Sequence, residues 1–271
     1  LSNIDYLIAA KKYGIPKRII HCHNSSNDGG KIKYYVHQYN KKRLGKYATH
    51  FWSCSETASS WFFDQRVMQN PNYKVIVNAI DVKKYEKNEE VRNQYRKELH
   101  VQNKIVIGHV GRFHFQKNHA FLIKVFECLS ERNEKYHLLL VGQGQLEPEI
   151  RELVKREGLE SKVTFLGARG DVDKIYQAMD LFILPSQFEG LGVVALEAQA
   201  ALLPCVLSGG VPEIARVNEN VVFVPLKDSP EQWADTVEKM LGKIQVANKM
   251  IGSEYDISTQ VENFEKELMG K

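Results

Sequence analysis

Two glutamates, Glu189 and Glu197, stand eight positions apart in the stretch FEGLGVVALEAQA. Between them lies a Gly-Leu-Gly turn, followed by an apolar run with helical spacing. A glycine turn that opens a helix offers unpaired N–H groups and the positive end of the helix dipole, which together favour a phosphate. If the segment is helical throughout, Glu197 lies about 12 Å along the axis from Glu189. One carboxylate can then face a sugar while the other accepts hydrogen bonds from ribose hydroxyls. The competing reading is that Glu189 caps the helix and Glu197 is solvated.

A second stretch, GHVGRFHFQKN, places Arg112 and Lys117 just past an apolar β-branched run. Two cations at that point can neutralise a diphosphate and stabilise it as a leaving group. A third, VGQGQ, adds Gly142 and Gly144. Its G-x-G lacks the third glycine of the dinucleotide fingerprint and supports only close packing or backbone approach. Asp171 and Asp173 form a D-x-D pattern, but Asp171 is more simply read as the cap of the helix that follows, so no metal is expected.

These residues need elements to hold them. From residue 104 onward, uniformly apolar runs (KIVIGHVGR, YHLLLVGQG, KVTFLG, LFILPS, PCVLSGG, VVFVPL) alternate with amphipathic ones. Strands without a wet face suit a parallel sheet covered on both sides, and the alternation predicts a doubly wound α/β domain. Ligands of such sheets sit at the carboxyl ends of the strands, where all three candidate loops fall. Residues 1–82 repeat the alternation in shorter form, with strands RIIHCHN, HFWSCS and KVIVNAI and helices near 4–14, 33–45 and 56–63. Three parallel strands are few for a covered sheet, so this reads as the second half of a Rossmann-like domain whose first half precedes residue 1. The charged segment 83–103 reads as a surface helix and linker, and a last helix is expected near 258–269.

Composition limits the alternatives. With 271 residues, 43% of them hydrophobic, the chain can bury a real core and is long enough for two domains. A net charge of +4 is too weak to argue for nucleic acid. Cys22, Cys54, Cys128 and Cys205 lack metal-ligand spacing and read as reduced core thiols. No run approaches the roughly 20 apolar residues of a spanning helix. The stretch 31–47 mixes Lys31, Lys33, Lys41, Lys42, Arg43 and Lys46 with Tyr34, Tyr35, Val36 and Tyr39, which suits either an anionic membrane surface or a solvated basic helix.

Taken together, GR…K (111–117), VGQG (141–144), FLGARGDV (165–172), LPSQFEGLGVVALEAQA and GGVPEI (209–214) resemble the retaining glycosyltransferases of family four, with the GT-B fold. The likeness is greatest to the bacterial enzymes of exopolysaccharide, capsule and lipopolysaccharide synthesis. Upstream, RIIHCHNS, WSCSETA and VIVNAID resemble the later part of that family's N-terminal domain. The resemblance implies two Rossmann-like domains, the N-terminal one incomplete here: 1–82 on the acceptor side, 83–253 as linker and donor-binding domain, and a C-terminal segment 254–271 packing back on the first.

It also implies roles. Arg112 and Lys117 would grip the diphosphate, and Glu189 would contact the donor sugar. The backbone of Gly190, Leu191 and Gly192 would meet phosphates and sugar, and Glu197 the ribose. Gly142 and Gly144 would approach the donor, and Ala168 and Arg169 would lie against the base. His23 would face the transferring sugar, while His21 would be structural. Asn118 and Ala79 stand where the family often has glycine. The expected activity is transfer, with retention, from a nucleotide-sugar, UDP-linked by preference, to a cell-surface polysaccharide or lipid-linked acceptor. The expected place is the cytoplasm, peripheral to the plasma membrane. A nucleotide-sugar epimerase of the same fold, or a truncated donor-binding module without transfer activity, stays open as an alternative.

Overall fold

The structure, a computed structural model, describes residues 3–23, 30–241 and 247–269. The chain divides into two units, residues 1–78 with 189–191 and residues 79–188 with 192–271. Asn24, at the end of the first expected strand, and residues 270–271 of the expected C-terminal segment lie outside the described residues.

The first unit runs α1 (Asp5–Lys12), β1 (Ile19–Cys22), α2 (Gly30–Tyr47), β2 (His50–Ser53), α3 (Glu56–Phe62), α4 (Gln65–Met68) and β3 (Tyr73–Val75). Its strands pair in parallel in the order β1-β2-β3. Ile20, Cys22, Leu44, Phe51 and Phe63 form its core. The strand expected over KVIVNAI is cut short, because its neighbour leaves the sheet. After Ser53 the chain turns to start α3, where Ser55 caps the helix by accepting from Ala58 N. Ile76 still donates to Ser53 O at 2.8 Å, where β2 ends.

The second unit opens on a 3-10 turn (Val82–Tyr85) and α5 (Glu89–Glu98). Then follow β4 (Ile105–Val110), α6 (His119–Arg132), β5 (Tyr136–Val141), α7 (Glu147–Arg156), β6 (Val163–Gly167), α8 (Val172–Ala178) and β7 (Leu181–Leu184). The unit closes with α9 (Val193–Ala200), β8 (Cys205–Ser208), β9 (Val221–Val224), α10 (Pro230–Leu241) and α11 (Ile257–Met269). All six strands are parallel, in the order β6-β5-β4-β7-β8-β9. Every residue of β5, β7 and β8 is buried, as the lack of polar alternation requires. Leu122, Phe126, Leu138, Leu140, Ile183 and Trp233 belong to one core cluster. Gly158, at φ +67° just past the end of α7, supplies the left-handed residue that stops that helix.

The segment 83–103 is more than a surface linker. In α5, Tyr95 and Arg96 are buried, and α5 packs along α8. Arg92 and Arg96 both pair with Asp180, and their remaining donors meet carbonyls of Gln177, Met179 and Ala178. The expected surface helix is present as α5, and two of its residues are buried because arginine stems pack well while the guanidinium satisfies several carbonyls at once. Of the four free cysteines, Cys22, Cys54 and Cys205 are buried, but Cys128 on α6 is half-buried rather than a core thiol.

Candidate functional site

The strand order reverses between β4 and β7: chain succession runs outward from β4 to β6 on one side and from β7 to β9 on the other. At such a switch point, loops leaving neighbouring strands part to opposite faces and open a crevice at the carboxyl edge. The loop after β4 carries Arg112 and Lys117, and the loop after β7 leads into α9.

Two hydrogen bonds stitch these loops together. Gln187 N donates to Gln116 O at 2.7 Å, and Gln116 Nε2 donates to Phe188 O at 2.9 Å. The Lys117 stem folds back over Gly111, close enough that a Cβ at residue 111 would sit 3.1 Å from its Cδ and Cε. Lys117 and the exposed Arg112 thus share one short loop beside the approach to α9. Asn118, where glycine is usual, adopts φ +57°, a left-handed conformation that asparagine tolerates better than most side-chain-bearing residues. Ala79 is not among the described non-glycine residues with positive φ.

Helix α9 has Gly192 as its N-cap residue, at φ +81°. No side chain caps it and no acidic residue occupies its first turn, so its start presents N–H groups suited to an anion. Glu189, Gly190 and Leu191 group with the first unit, where Ser55 Oγ donates to Gly190 O at 2.6 Å. Glu189 and Leu191 are buried. His23, also in the first unit, is exposed and its ring lies 4.2 Å from that of His21. Burial, with His23 close by, pushes His21 down to about 4.

Glu197 is not a solvated surface residue. Tyr176, fully buried, donates its hydroxyl to Glu197 Oε2 at 3.0 Å, and the Tyr85 hydroxyl also bonds this carboxylate. Burial raises the Glu197 pKa and outweighs the two tyrosines, which act in the opposite direction. The tyrosines were not singled out from sequence. Nothing in their local sequence pairs them with Glu197, which lies 21 and 112 positions further on.

Gly142 and Gly144 serve backbone packing. A Cβ on Gly142 would come within 2.1 Å of Gly111 O, and one on Gly144 within 2.5 Å of Phe113 O. The loops are joined there by Phe113 N to Gln143 O and Leu146 N to Phe113 O, and Gly142 N donates onward to Gly167 O. Ala168 is exposed, while the Arg169 guanidinium is occupied by Asp171, with Nε to Oδ1 at 2.8 Å and Nη2 to Oδ2 at 2.7 Å. This corrects the expectation that Asp171 caps α8. It stands at the N-cap position, but its carboxylate makes no capping bond and instead takes Arg169 and the Tyr95 hydroxyl. A charge-assisted bidentate pair outcompetes a single backbone N–H. Those donors hold the Asp171 carboxyl well below the usual carboxylate range. Asp173 faces Lys84 at 3.9 Å.

Behind the cation loop lie buried His109 and His119, rings 4.7 Å apart, with Phe113 stacked on His119. Burial, then His109 and Lys117, push His119 down to about 2, so it is neutral at physiological pH.

Residues 104–243 match the family described as glycosyl transferases group 1. The chain belongs to that family. EpsF of Bacillus subtilis (strain 168), a glycosyltransferase by name, is 33% identical over 237 residues, covering 86% of this chain and 62% of EpsF. An Escherichia coli UDP-Gal:alpha-D-GlcNAc-diphosphoundecaprenol alpha-1,3-galactosyltransferase is 31% identical over 138 residues, 49% of this chain and 36% of that protein. HepE of Anabaena, solved in complex with UDP, superposes with a TM-score of 0.82 at 20% identity, over 98% of this chain and 75% of HepE. The fold of this group 1 glycosyltransferase chain is thus that of GT-B enzymes, and the chain spans less than two thirds of the two curated relatives' length.

Proposed function

We propose that the chain binds the nucleotide-sugar donor of a glycosyltransferase, UDP-linked, and that the whole protein transfers the sugar with retention to a cell-surface or lipid-linked glycan. The observation that carries this reading is the stitching of the Arg112–Lys117 loop to the strand end leading into the uncapped α9, at the switch point of the sheet. Two cations on the loop after β4 and a helix start after β7, at neighbouring strand ends, would fit a diphosphate, and Glu197, held by two tyrosines, would fit a ribose diol. UDP in the HepE complex and the UDP-Gal donor of the E. coli relative support the choice of nucleotide. The diphosphoundecaprenol in that relative's name supports a lipid-linked acceptor.

In this mechanism Arg112, Lys117 and the α9 start stabilise the charge that develops on the departing diphosphate. By resemblance to the family we assign Glu189 to the donor sugar, the Gly190–Gly192 backbone to phosphates and sugar, and His23 to the transferring sugar. UDP should raise the melting temperature in a concentration-dependent way. The decisive test is a cycle with 2′-deoxy-UDP. Glu197→Ala should weaken UDP binding by about tenfold, the loss expected for a hydrogen bond to a charged group. Removing the 2′-hydroxyl should weaken wild-type binding similarly and add little in the variant. Fully additive losses would place the ribose elsewhere.

We further propose that α2 meets an anionic membrane surface. Ile32, Tyr35 and Tyr39 are exposed, as are Lys31, Lys33, Lys42 and Lys46. Lys41 and Arg43 drop out of the basic set: Lys41 donates to Ser60 O and Trp61 O, and Arg43 stacks over Tyr39 and Tyr47. Sedimentation with phosphatidylglycerol vesicles should recover the protein, phosphatidylcholine vesicles should not, and Lys31→Glu/Lys33→Glu should abolish recovery. Equal recovery on both lipids would count against this contact.

A further inference from the structure

The loop that carries Lys117 also forms the wall of a cavity of about 600 Å³ lined by His114, Phe115, His119, Glu149, Gln187 and Phe188 among others. Its chemistry differs from that of a phosphate crevice. Among the described residues no lysine or arginine lines it, and the charged group there is the Glu149 carboxylate in the first turn of α7. Phe115 is 50% exposed, with its ring 5.9 Å from that of Phe188 and tilted by 57°. His119 is 2% exposed, and its ring nitrogens and His114 Nδ1 are themselves enclosed, so these atoms do not face the cavity, whereas Gln187 and Glu149 are exposed.

These features restrict the ligand. A carboxylate without a cation repels phosphate, which excludes the donor diphosphate. The exposed Glu149 carboxylate and Gln187 amide disfavour a purely apolar ligand, which would desolvate them without offering a hydrogen bond. What fits is a compact molecule with C–H faces for the phenyl rings and hydroxyls for the Gln187 amide and the Glu149 carboxylate. A sugar ring has that pattern. We propose that this cavity is a subsite for one neutral pyranose of the acceptor glycan, stacked against Phe115, with hydroxyls directed to Gln187 and Glu149. The proposal rests on the glycosyltransferase reading above and adds an acceptor contact on the donor-binding unit.

The test uses the whole chain with methyl groups labelled at Ala120, Leu146 and Ile150, which line the same cavity. It is titrated with methyl α-glucopyranoside, methyl α-galactopyranoside and methyl N-acetyl-α-glucosaminide, and separately with UDP-glucose. At least one glycoside should shift these methyls saturably, and Phe115→Ala should weaken it by about five- to tenfold, the worth of one ring stack. The UDP-induced rise in melting temperature should be the same in wild type and Phe115→Ala. The proposal fails if no glycoside saturates the shifts, if Phe115→Ala leaves the affinity unchanged, or if UDP-glucose alone moves them, which would mark the cavity as donor space. If a glycoside binds while UDP gives no thermal shift, the donor assignment fails and the subsite stands.

Discussion

Lys117→Ala is expected to weaken UDP binding by about 10- to 100-fold while leaving uridine binding unchanged. The magnitude is that of a charge-assisted hydrogen bond to phosphate, about 1.5–3 kcal/mol in a partly enclosed site. The contrast with uridine follows from position. Lys117 lies on the loop after β4, stitched to the strand end before α9, whereas the base and ribose contacts are assigned to other loops. Arg112→Ala should behave alike, and Arg112→Lys should recover only part of the loss, since an ammonium cannot form the two-pronged contact of a guanidinium. Wild-type binding should also weaken with salt more steeply than that of either alanine variant. Isothermal titration with UDP and uridine measures each of these. Undiminished UDP affinity in both alanine variants would remove the diphosphate from this corner and with it the mechanism proposed above.

The second large effect concerns stability. Asp180 pairs with Arg92 and Arg96, and its Oδ2 also accepts from Val106 N at 2.7 Å, at the start of β4. The Arg96 side chain is 9% exposed and also bonds carbonyls of Ala178 and Lys104. Asp180→Ala would leave two guanidiniums short of a counter-charge and one strand N–H without its acceptor. The expected cost is about 3–5 kcal/mol, the range for breaking a buried pair by removing one partner. Asp180→Asn, which keeps an acceptor oxygen but loses the charge, should cost less. Val106 sits at the opposite end of β4 from the Arg112 loop, about 13 Å away along the strand, so the folded fraction should keep its UDP affinity. Chemical denaturation followed by titration separates the two effects, and a stability loss below about 1 kcal/mol would show that the arginines are held by carbonyls alone.

Much of this was legible in the chain itself. The six apolar runs from residue 104 became six parallel strands, because a strand with no polar face has to be covered on both sides. Three chemically marked loops were placed at the strand ends for the same reason. Glycine positions were legible too, but not their purpose: Gly142 and Gly144 could have served ligand approach or packing, and only the 2.1 and 2.5 Å clashes a Cβ would make show the packing role.

What the chain alone could not supply was partner choice between residues far apart in sequence. Asp171 and Asp180 look alike as exposed carboxylates beside helices, yet one is taken by Arg169 and Tyr95 and the other bolts α5 to the sheet. Glu197 could be solvated or enclosed until Tyr176 was seen to donate to it. Local patterns of hydrophobicity and backbone freedom act within a few residues and so fix elements and turns. Hydrogen bonds between side chains depend on which elements the finished sheet brings together, and that ordering was decided only when the β4 and β7 loops met at the switch point.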